Sequence, residues 1–340
     1  MKKIGGSSFL LAVVLFGLAA AGQAEPLFVK LGAALPPEHP TSQALTALQQ
    51  EIGKMRAPQM EMQIFPAAQF GAASEMLAGV EFGGIELGVF SAELLAARSP
   101  LLAAIAMPYI FRDEEQRLRV LDGPVGAHIL DALKQRNLIG LGFFDAGAQN
   151  LLTKKQPVKT PADLQGLKIG RVNACPEPDC RNLLAQLASR TFAAMGATVE
   201  LLRPEDAAEA FRTGRIDGWE GNALDCKRLQ IVDAGAAYFT QTGQSAIPDV
   251  LVASKRWFET LSPEAQQALQ QAARVTVRRQ RELWRNALEK ASAECAAAGV
   301  TFETPVREPF YNAVQPVYRE MEQERRAEFE QLLQTMRAVN

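Results

Sequence analysis

The feature that most constrains the fold is a repeated alternation of strand-like and helix-like segments. Strands are predicted at residues 27–34, 60–65, 85–90, 138–144, 167–172, 198–202, 215–219 and 250–253, and helices at 41–55, 73–82, 183–195 and 204–212. Strands joined through a helix can pair in parallel within one sheet. The order therefore predicts an α/β fold built from parallel sheet and crossover helices.

A polar, proline-punctuated connection around residues 154–161 divides the chain, and 340 residues exceed the usual size of one hydrophobic core. We predict two lobes joined by a hinge, with crossings near 145–150 and 222–244. Lobe I comprises residues 25–147 plus about 225–265, and lobe II comprises 148–224 plus about 266–340. Ligand is expected in the crevice between the lobes, at the carboxyl ends of strands.

One long helix is predicted to brace both lobes. It begins at Ser262-Pro263-Glu264, a capping serine followed by a first-turn proline and an early acid, and continues towards Ala298 with few breakers. About 36 residues at roughly 1.5 Å each give a length of about 54 Å, which is more than one small lobe spans.

The N-terminal residues have the layout of a secretory signal peptide. Lys2 and Lys3 precede an apolar run from Phe9 to Ala21, and small residues end at Ala24, where cleavage is predicted. The apolar run is shorter than the roughly 20 residues that span a bilayer. We therefore expect residues 1–24 to be removed, and the mature chain to lie in the periplasm without membrane insertion.

Four cysteines, Cys175, Cys180, Cys226 and Cys295, allow three disulfide connectivities, and the sequence alone does not choose among them. Cys175 and Cys180 bracket a Pro-Glu-Pro-Asp turn, which favours a local disulfide. The alternative is that Cys226 and Cys295, which lie on helical segments, are buried free thiols.

The sequence offers little chemistry for an enzyme. It contains no Gly-x-Ser-x-Gly motif, and its two histidines, His39 and His128, lack the spacing of metal ligands. A formal net charge of −2 gives no footprint for nucleic acid. We predict a binding protein without cofactor or metal, in which His39, just after the first strand, can face the cleft.

Several motifs, in this order, carry a family resemblance. They are the segments 65–71 (Phe-Pro-Ala-Ala-Gln-Phe-Gly), 83–89, 108–113, 121–126, 157–169 and 213–220. Together they resemble the DctP-type substrate-binding proteins of TRAP (tripartite ATP-independent periplasmic) transporters, over almost the whole mature chain. The resemblance implies capture of a small organic acid and delivery to the small and large permease subunits. The alternative is a periplasmic sensing module for a receptor kinase.

The resemblance also implies a carboxylate-binding arginine directly after the Leu-Lys-Ile strand. That position holds Gly170, and Arg171 follows one residue later. A shift of one residue turns a side chain to the other face of a strand, unless a bulge restores its direction. We predict a bulge at Gly170 and Arg171 as the anion anchor; the alternative is that Arg171 is a surface residue.

Other positions of the family's site also depart from its pattern. Gln149, followed by Asn150, stands where a second arginine is common, and the family's Glu-Asn pair is split here into Glu220 and Asn222 by Gly221. Since Gln149 cannot neutralise a charge, the ligand is expected to be a monocarboxylate.

Three further residues complete the predicted site. Trp219 could stack on a cyclic or aromatic acid, or pack at the lobe interface. Glu75 could cap a helix, bind ligand or be solvated, and Gln244 falls where the family often has a polar cleft residue.

Overall fold

A computed structural model describes residues 26–55, 59–173, 183–324 and 327–339. The predicted signal peptide, and the predicted disulfide between Cys175 and Cys180, lie outside the described residues. Within the described ranges, no helix combines the length and the apolar character needed to cross a membrane.

The strands and helices alternate as the sequence predicts. The strands are β1 (Leu27–Ala33), β2 (Met60–Phe65), β3 (Leu87–Ser91), β4 (Leu138–Phe144), β5 (Gln149–Thr153), β6 (Lys168–Val172), β7 (Thr198–Leu202), β8 (Gly218–Gly221), β9 (Tyr238–Ser245), β10 (Asp249–Ser254) and β11 (Thr301–Glu303). The α-helices are α1 (Pro40–Gly53), α2 (Ala73–Phe82), α3 (Ala92–Leu95), α4 (Glu114–Asp122), α5 (Pro124–Ala132), α6 (Leu183–Ala194), α7 (Ala207–Thr213), α8 (Asp225–Arg228), α9 (Lys255–Phe258), α10 (Pro263–Ala297), α11 (Arg307–Ala313), α12 (Gln315–Glu324) and α13 (Ala327–Ala338). Short 3₁₀ helices cover Pro100–Ala106, Leu133–Arg136, Pro161–Leu164 and Pro204–Asp206.

The strands form two sheets, one in each lobe. The sheet of lobe I has the order β2-β1-β3-β10-β4, in which β1 is parallel to β2 and β3 while β10 is antiparallel to both of its neighbours. The sheet of lobe II has the order β11-β9-β5-β8-β6-β7. There β6 is parallel to β7 and β8, and β5 is antiparallel to β8 and β9. The two-lobed α/β fold is therefore confirmed.

The chain crosses between the sheets at three places, the third along α10, which connects β10 in lobe I to β11 in lobe II. It leaves lobe I after β4 and enters lobe II at β5, and it returns between the end of β9 and the start of β10. This return lies later than the predicted one. The sequence prediction places residues 225–265 in lobe I, but β9 pairs with β5 in the sheet of lobe II. The hydrogen bonds between β9 and β5 therefore assign residues 238–245 to lobe II.

The long helix α10 spans both lobes, as predicted. Its cap is Ser262, whose hydroxyl accepts a hydrogen bond from the amide of Ala265 at 3.3 Å. Leu269 and Val277 pack into the core of lobe I, although the sequence prediction places this part of the chain in lobe II. Cys295, near the other end, packs into the core of lobe II. Each half of the helix thus belongs to a different lobe.

The hinge is fixed to this helix by hydrogen bonds. The amide group of Gln280 on α10 accepts from the backbone N–H of Asp145 at 2.8 Å and donates to its carbonyl at 2.7 Å. The Asp145 carboxylate pairs with Arg117 at 3.0 Å, and both side chains are buried. The first crossing is therefore held in one place.

A disulfide joins Cys226 on α8 to Cys295 on α10, with the two Cα atoms 6.2 Å apart. The interpretation of these cysteines as buried free thiols is thus wrong. The bond fixes α8, a single helical turn, to the long helix.

Candidate functional site

A cleft of about 380 Å³ lies between the lobes, a size typical of small-molecule pockets. Lobe I contributes the start of α1 and the end of β3, and lobe II contributes β6, the end of β8 and α8. The polar residues that line it are His39, Thr41, Ser91, Glu93, Gln149, Arg171, Glu220, Asn222, Asp225, Arg228 and Asp249. Five of the predicted site residues are therefore brought together: Arg171, Gln149, Glu220, Asn222 and His39.

Arg171 reaches the cleft from a regular strand. The pairing of β6 with β7 runs without a break from Lys168 to Val172, so the predicted bulge at Gly170 is absent. Since side chains alternate along a strand, Arg171 shares a face with the buried Ile169. On the other face, a Cβ at Gly170 would lie 2.6 Å from Ile216 Cδ1 and 2.9 Å from Trp219 Cε3. Glycine is required there because Trp219 packs against the strand.

The guanidinium of Arg171 is buried between two carboxylates. Its Nη2 lies 3.0 Å from Oε2 of Glu93 in lobe I, and its Nε lies 3.3 Å from Oε2 of Glu220 in lobe II. Burial acts to lower the pKa of Arg171, but the charges of Glu220 and Glu93 raise it above its ordinary value. The arginine is thus a permanent cation within reach of the cleft.

Gln244 holds Glu220 in this arrangement. Its side-chain Nε2 donates to Oε1 of Glu220 at 3.1 Å, and its Oε1 accepts from the hydroxyl of Thr242. Gln244 is buried and does not line the cleft itself. It acts on the site only through Glu220.

A second arginine, Arg228 on α8, lies at the more exposed end of the cleft. Its Nη2 donates to Oδ1 of Asp225 at 2.5 Å, and 44% of its side chain is exposed. Asp225 also accepts from the indole Nε1 of Trp219 at 3.3 Å and from the amide of Asn222 at 3.4 Å. A Cβ at Gly221 would collide with this carboxylate, which explains the glycine between Glu220 and Asn222.

His39 faces the cleft from the N-cap of α1. Its Nδ1 accepts a hydrogen bond from the amide of Thr41 at 3.2 Å, so a neutral ring carries its proton on Nε2. Burial and, second, the charge of Arg228 lower the pKa of His39 from 6.5 to about 4. The ring is neutral at physiological pH and can donate one hydrogen bond.

Asp249, the first residue of β10, places a carboxyl group at the hinge end of the cleft. Burial, together with the charge of Asp145, raises its pKa from 3.8 to about 6. Its side chain forms no hydrogen bond or ion pair with any other described residue. The group is therefore an acceptor that a ligand could use.

Three predicted site residues have other roles. Trp219 is fully buried in the core of lobe II and cannot stack on a ligand. Glu75 is exposed, and its Oε2 accepts from the amide of Ala72 at 2.7 Å, the capping role among its alternatives. The amide group of Asn150 bonds to Ala148 and Gly243. Asn150 lines a second cavity of about 680 Å³ between the hinge and α10, which shares Asn222 and Trp284 with the cleft.

The sequence prediction missed Glu93, Arg228 and Asp249. Asp249 follows Pro248 directly before the predicted strand 250–253, a position that could have indicated an acid at a strand end. Glu93 and Arg228 lie on helices of four residues, which carry no periodic signal. Only the tertiary structure brings them to the cleft.

Two α/β lobes, three crossings and a charged cleft between the lobes define a two-lobed solute-binding protein. The model of the bacterial extracellular solute-binding proteins, family 7, DctP, matches residues 31–325. The chain belongs to this family.

Characterised relatives match most of the chain. The 2,3-diketo-L-gulonate-binding periplasmic protein YiaO of Escherichia coli is 30% identical over 271 residues, which cover 77% of each protein. A TRAP periplasmic solute-binding protein of Citrobacter koseri, solved with bound D-glucuronate, has a TM-score of 0.77 at 28% identity over 92% of this chain and 99% of that one. A counterpart from Bradyrhizobium, in complex with galacturonate, has a TM-score of 0.77 at 27% identity, covering 91% and 99%.

Proposed function

We propose that this chain binds a sugar acid of the hexuronate type in the interlobe cleft. In the periplasm it delivers the acid to the small and large subunits of a TRAP permease. The observation that carries the proposal is one buried guanidinium, Arg171, in a cleft otherwise rich in hydrogen-bond acceptors. A ligand with one carboxylate and several hydroxyl groups suits both features.

Hydroxyl groups fit the acceptors of this cleft. Asp249 and Gln149 are half-buried, and neither side chain forms a hydrogen bond with another described residue. A polar group shut in a closed cleft costs free energy unless it is paired, and a carboxylate accepts strongly from hydroxyl groups. Ligand hydroxyls would supply the missing donors.

The charges of the cleft argue against a dicarboxylate. Among the described residues that line the cleft, four acidic side chains, Glu93, Glu220, Asp225 and Asp249, face two arginines. Each added ligand charge would therefore meet repulsion. An aromatic acid is also a poor match, because the one tryptophan predicted to stack on it, Trp219, is buried in the core.

The relatives support the same class of ligand. The three similar proteins are a 2,3-diketo-L-gulonate-binding protein and two proteins solved with D-glucuronate and galacturonate, all of which are sugar acids. These likenesses support a sugar acid as the ligand of this chain.

Titration calorimetry tests the proposal. We expect D-glucuronate or D-galacturonate to bind in the micromolar range or tighter, and at least about 100-fold more tightly than D-glucose, which lacks the carboxylate. Asp249→Asn should weaken binding of the sugar acid by about tenfold or more, because it replaces a charged acceptor with a neutral one.

The control is Asp233→Asn, which makes the same change at an exposed position of lobe II. It should leave the affinity unaltered. If succinate or benzoate bound in the micromolar range while every sugar acid failed, the proposal would be wrong.

A further inference from the structure

The interlobe ion pair between Arg171 and Glu93 connects two parts of the chain that otherwise belong to different lobes. Arg171 lies on β6 in lobe II, and Glu93 lies on α3, directly after β3 of lobe I. The atoms Nη2 and Oε2 are 3.0 Å apart, and both side chains are less than one tenth exposed. The contact is therefore a buried, charge-assisted hydrogen bond across the cleft.

The helix α3, which carries Glu93, moves together with lobe I. The Ser91 hydroxyl at the end of β3 accepts from the amide of Leu94 at 3.2 Å, which fixes the single turn of α3 to the strand. Arg171 is fixed equally well, because β6 pairs with strands on both sides. Any relative movement of the lobes must therefore change the distance between the two charged groups.

The guanidinium of Arg171 already has an acidic partner in each lobe. Glu93 and Glu220 already place two carboxylates on one guanidinium. A ligand carboxylate added to this group would place a third negative charge beside one guanidinium, which is costly in a poorly solvated site. The ligand and Glu93 must then compete for the same cation.

We infer that Glu93 is an internal competitor for the ligand's carboxylate and a determinant of specificity. In the ligand-free protein the interlobe ion pair favours the closed arrangement of the lobes, and an acid gains access to Arg171 only by displacing Glu93. Affinity for an acid is thereby reduced by the fraction of molecules in which the pair is formed. Weakly interacting acids are excluded, and ligands with enough further contacts are retained.

The part of this inference that concerns the ligand rests on the proposed function, whereas the closed state does not. The first experiment is therefore small-angle X-ray scattering on the ligand-free protein. Glu93→Gln removes the charge but retains the size of the side chain, and Arg171 keeps Glu220 as a partner. We expect this variant to have a larger radius of gyration than the wild type.

The matched control is Glu61→Gln, the same change at an exposed position of lobe I. It should scatter like the wild type. Glu93→Asp, which keeps the charge but shortens the side chain, serves as a second variant and should also open the protein. If both variants at position 93 scatter like the wild type, the inference is overturned.

Calorimetry with D-glucuronate then measures the competition. Glu93→Gln should bind this acid about tenfold more tightly than the wild type, as expected if about nine in ten molecules carry the pair. A loss of affinity would instead identify Glu93 as a ligand contact and overturn its role as competitor. If Glu93→Gln opens the protein but no sugar acid binds to any variant, the interlobe ion pair stands and the proposed function fails. If D-glucuronate binds but neither variant at position 93 changes the scattering, the proposed function stands and the inference about Glu93 fails.

Discussion

The two ends of the cleft both place an arginine against carboxylates, but they are held in different ways. At the inner end, Arg171 is buried and contacts one acid from each lobe. At the outer end, Arg228 is 44% exposed and pairs with Asp225 one helical turn before it. The same α8 turn is joined to α10 by the disulfide of Cys226 and Cys295.

The way in which each end is held gives the two ends different roles when the lobes move. The inner end depends on how far apart the lobes are, since one of its charges belongs to each of them. The pair of Arg228 and Asp225 keeps its geometry when the lobes move, because both residues lie on α8 and this helix is covalently attached to α10. The inner end can therefore report closure, while the outer end offers a constant surface to an arriving anion.

The largest expected effect concerns the covalent support of the outer end. The double variant Cys226→Ala, Cys295→Ala opens a loop with a sequence separation of 69 residues. The loss of this constraint on the unfolded chain should lower the free energy of unfolding by about 4 kcal/mol. Urea denaturation followed by circular dichroism measures it.

The double variant is preferable to a reductant, which would also reach other cysteines. A loss below about 1 kcal/mol would show that the disulfide contributes little to the stability of the fold. The covalent attachment of α8 would then not distinguish the outer end from the inner end.

The inner end should be nearly as sensitive to the loss of its cation. Arg171→Met removes the guanidinium that lies between the buried carboxylates of Glu93 and Glu220, which should lower the free energy of unfolding by about 3 kcal/mol or more. Arg215→Met is the control, because Arg215 pairs with Glu200 at the surface of the same lobe and should cost less than about 1 kcal/mol.

A second substitution tests the cause of this loss. If uncompensated charge is responsible, adding Glu93→Gln to Arg171→Met should recover part of the lost stability in the same urea experiment. No recovery would mean that packing of the arginine, rather than its charge, stabilises the inner end.

Much of the fold follows from the sequence because its signals are local. The cap at Ser262 and the long breaker-free run predict α10, and apolar strands such as Leu138–Phe144 stand out from their surroundings. The strand β9, Tyr238–Ser245, was missed because five of its eight residues are Thr, Gln or Ser. That omission misplaced the return crossing and the lobe boundary with it.

The site was predicted less completely, for a physical reason. Arg171 was found through its position after a strand, yet the predicted bulge was wrong, since the strand is regular and Gly170 makes room for Trp219. Trp219 itself looked like a ligand contact, because sequence does not show which face of β8 is covered. Glu93 and Arg228 depend on how the lobes meet, which no local pattern encodes.

The smallest expected effect would sharpen the description of the outer end. Burial and, to a smaller extent, Arg228 lower the pKa of His39 to about 4. Between pH 6.5 and 4 the unfolded chain therefore binds more protons at His39 than the native chain does, and this residue costs stability as the pH falls. Arg228→Gln should raise the pKa of His39 but leave it below 6.5, because burial remains.

Proton NMR can follow this shift directly, since the chain contains two histidines and His128→Gln assigns their signals. Lys227→Gln is the matched control, as it removes a positive charge from the neighbouring, exposed position of α8. It should move the pKa of His39 far less than Arg228→Gln does. An equal shift in both variants would mean that His39 senses only the general charge of lobe II. A shift confined to Arg228→Gln would place the guanidinium and the imidazole face to face across the outer end, where a cation and a neutral donor can together receive a carboxylate.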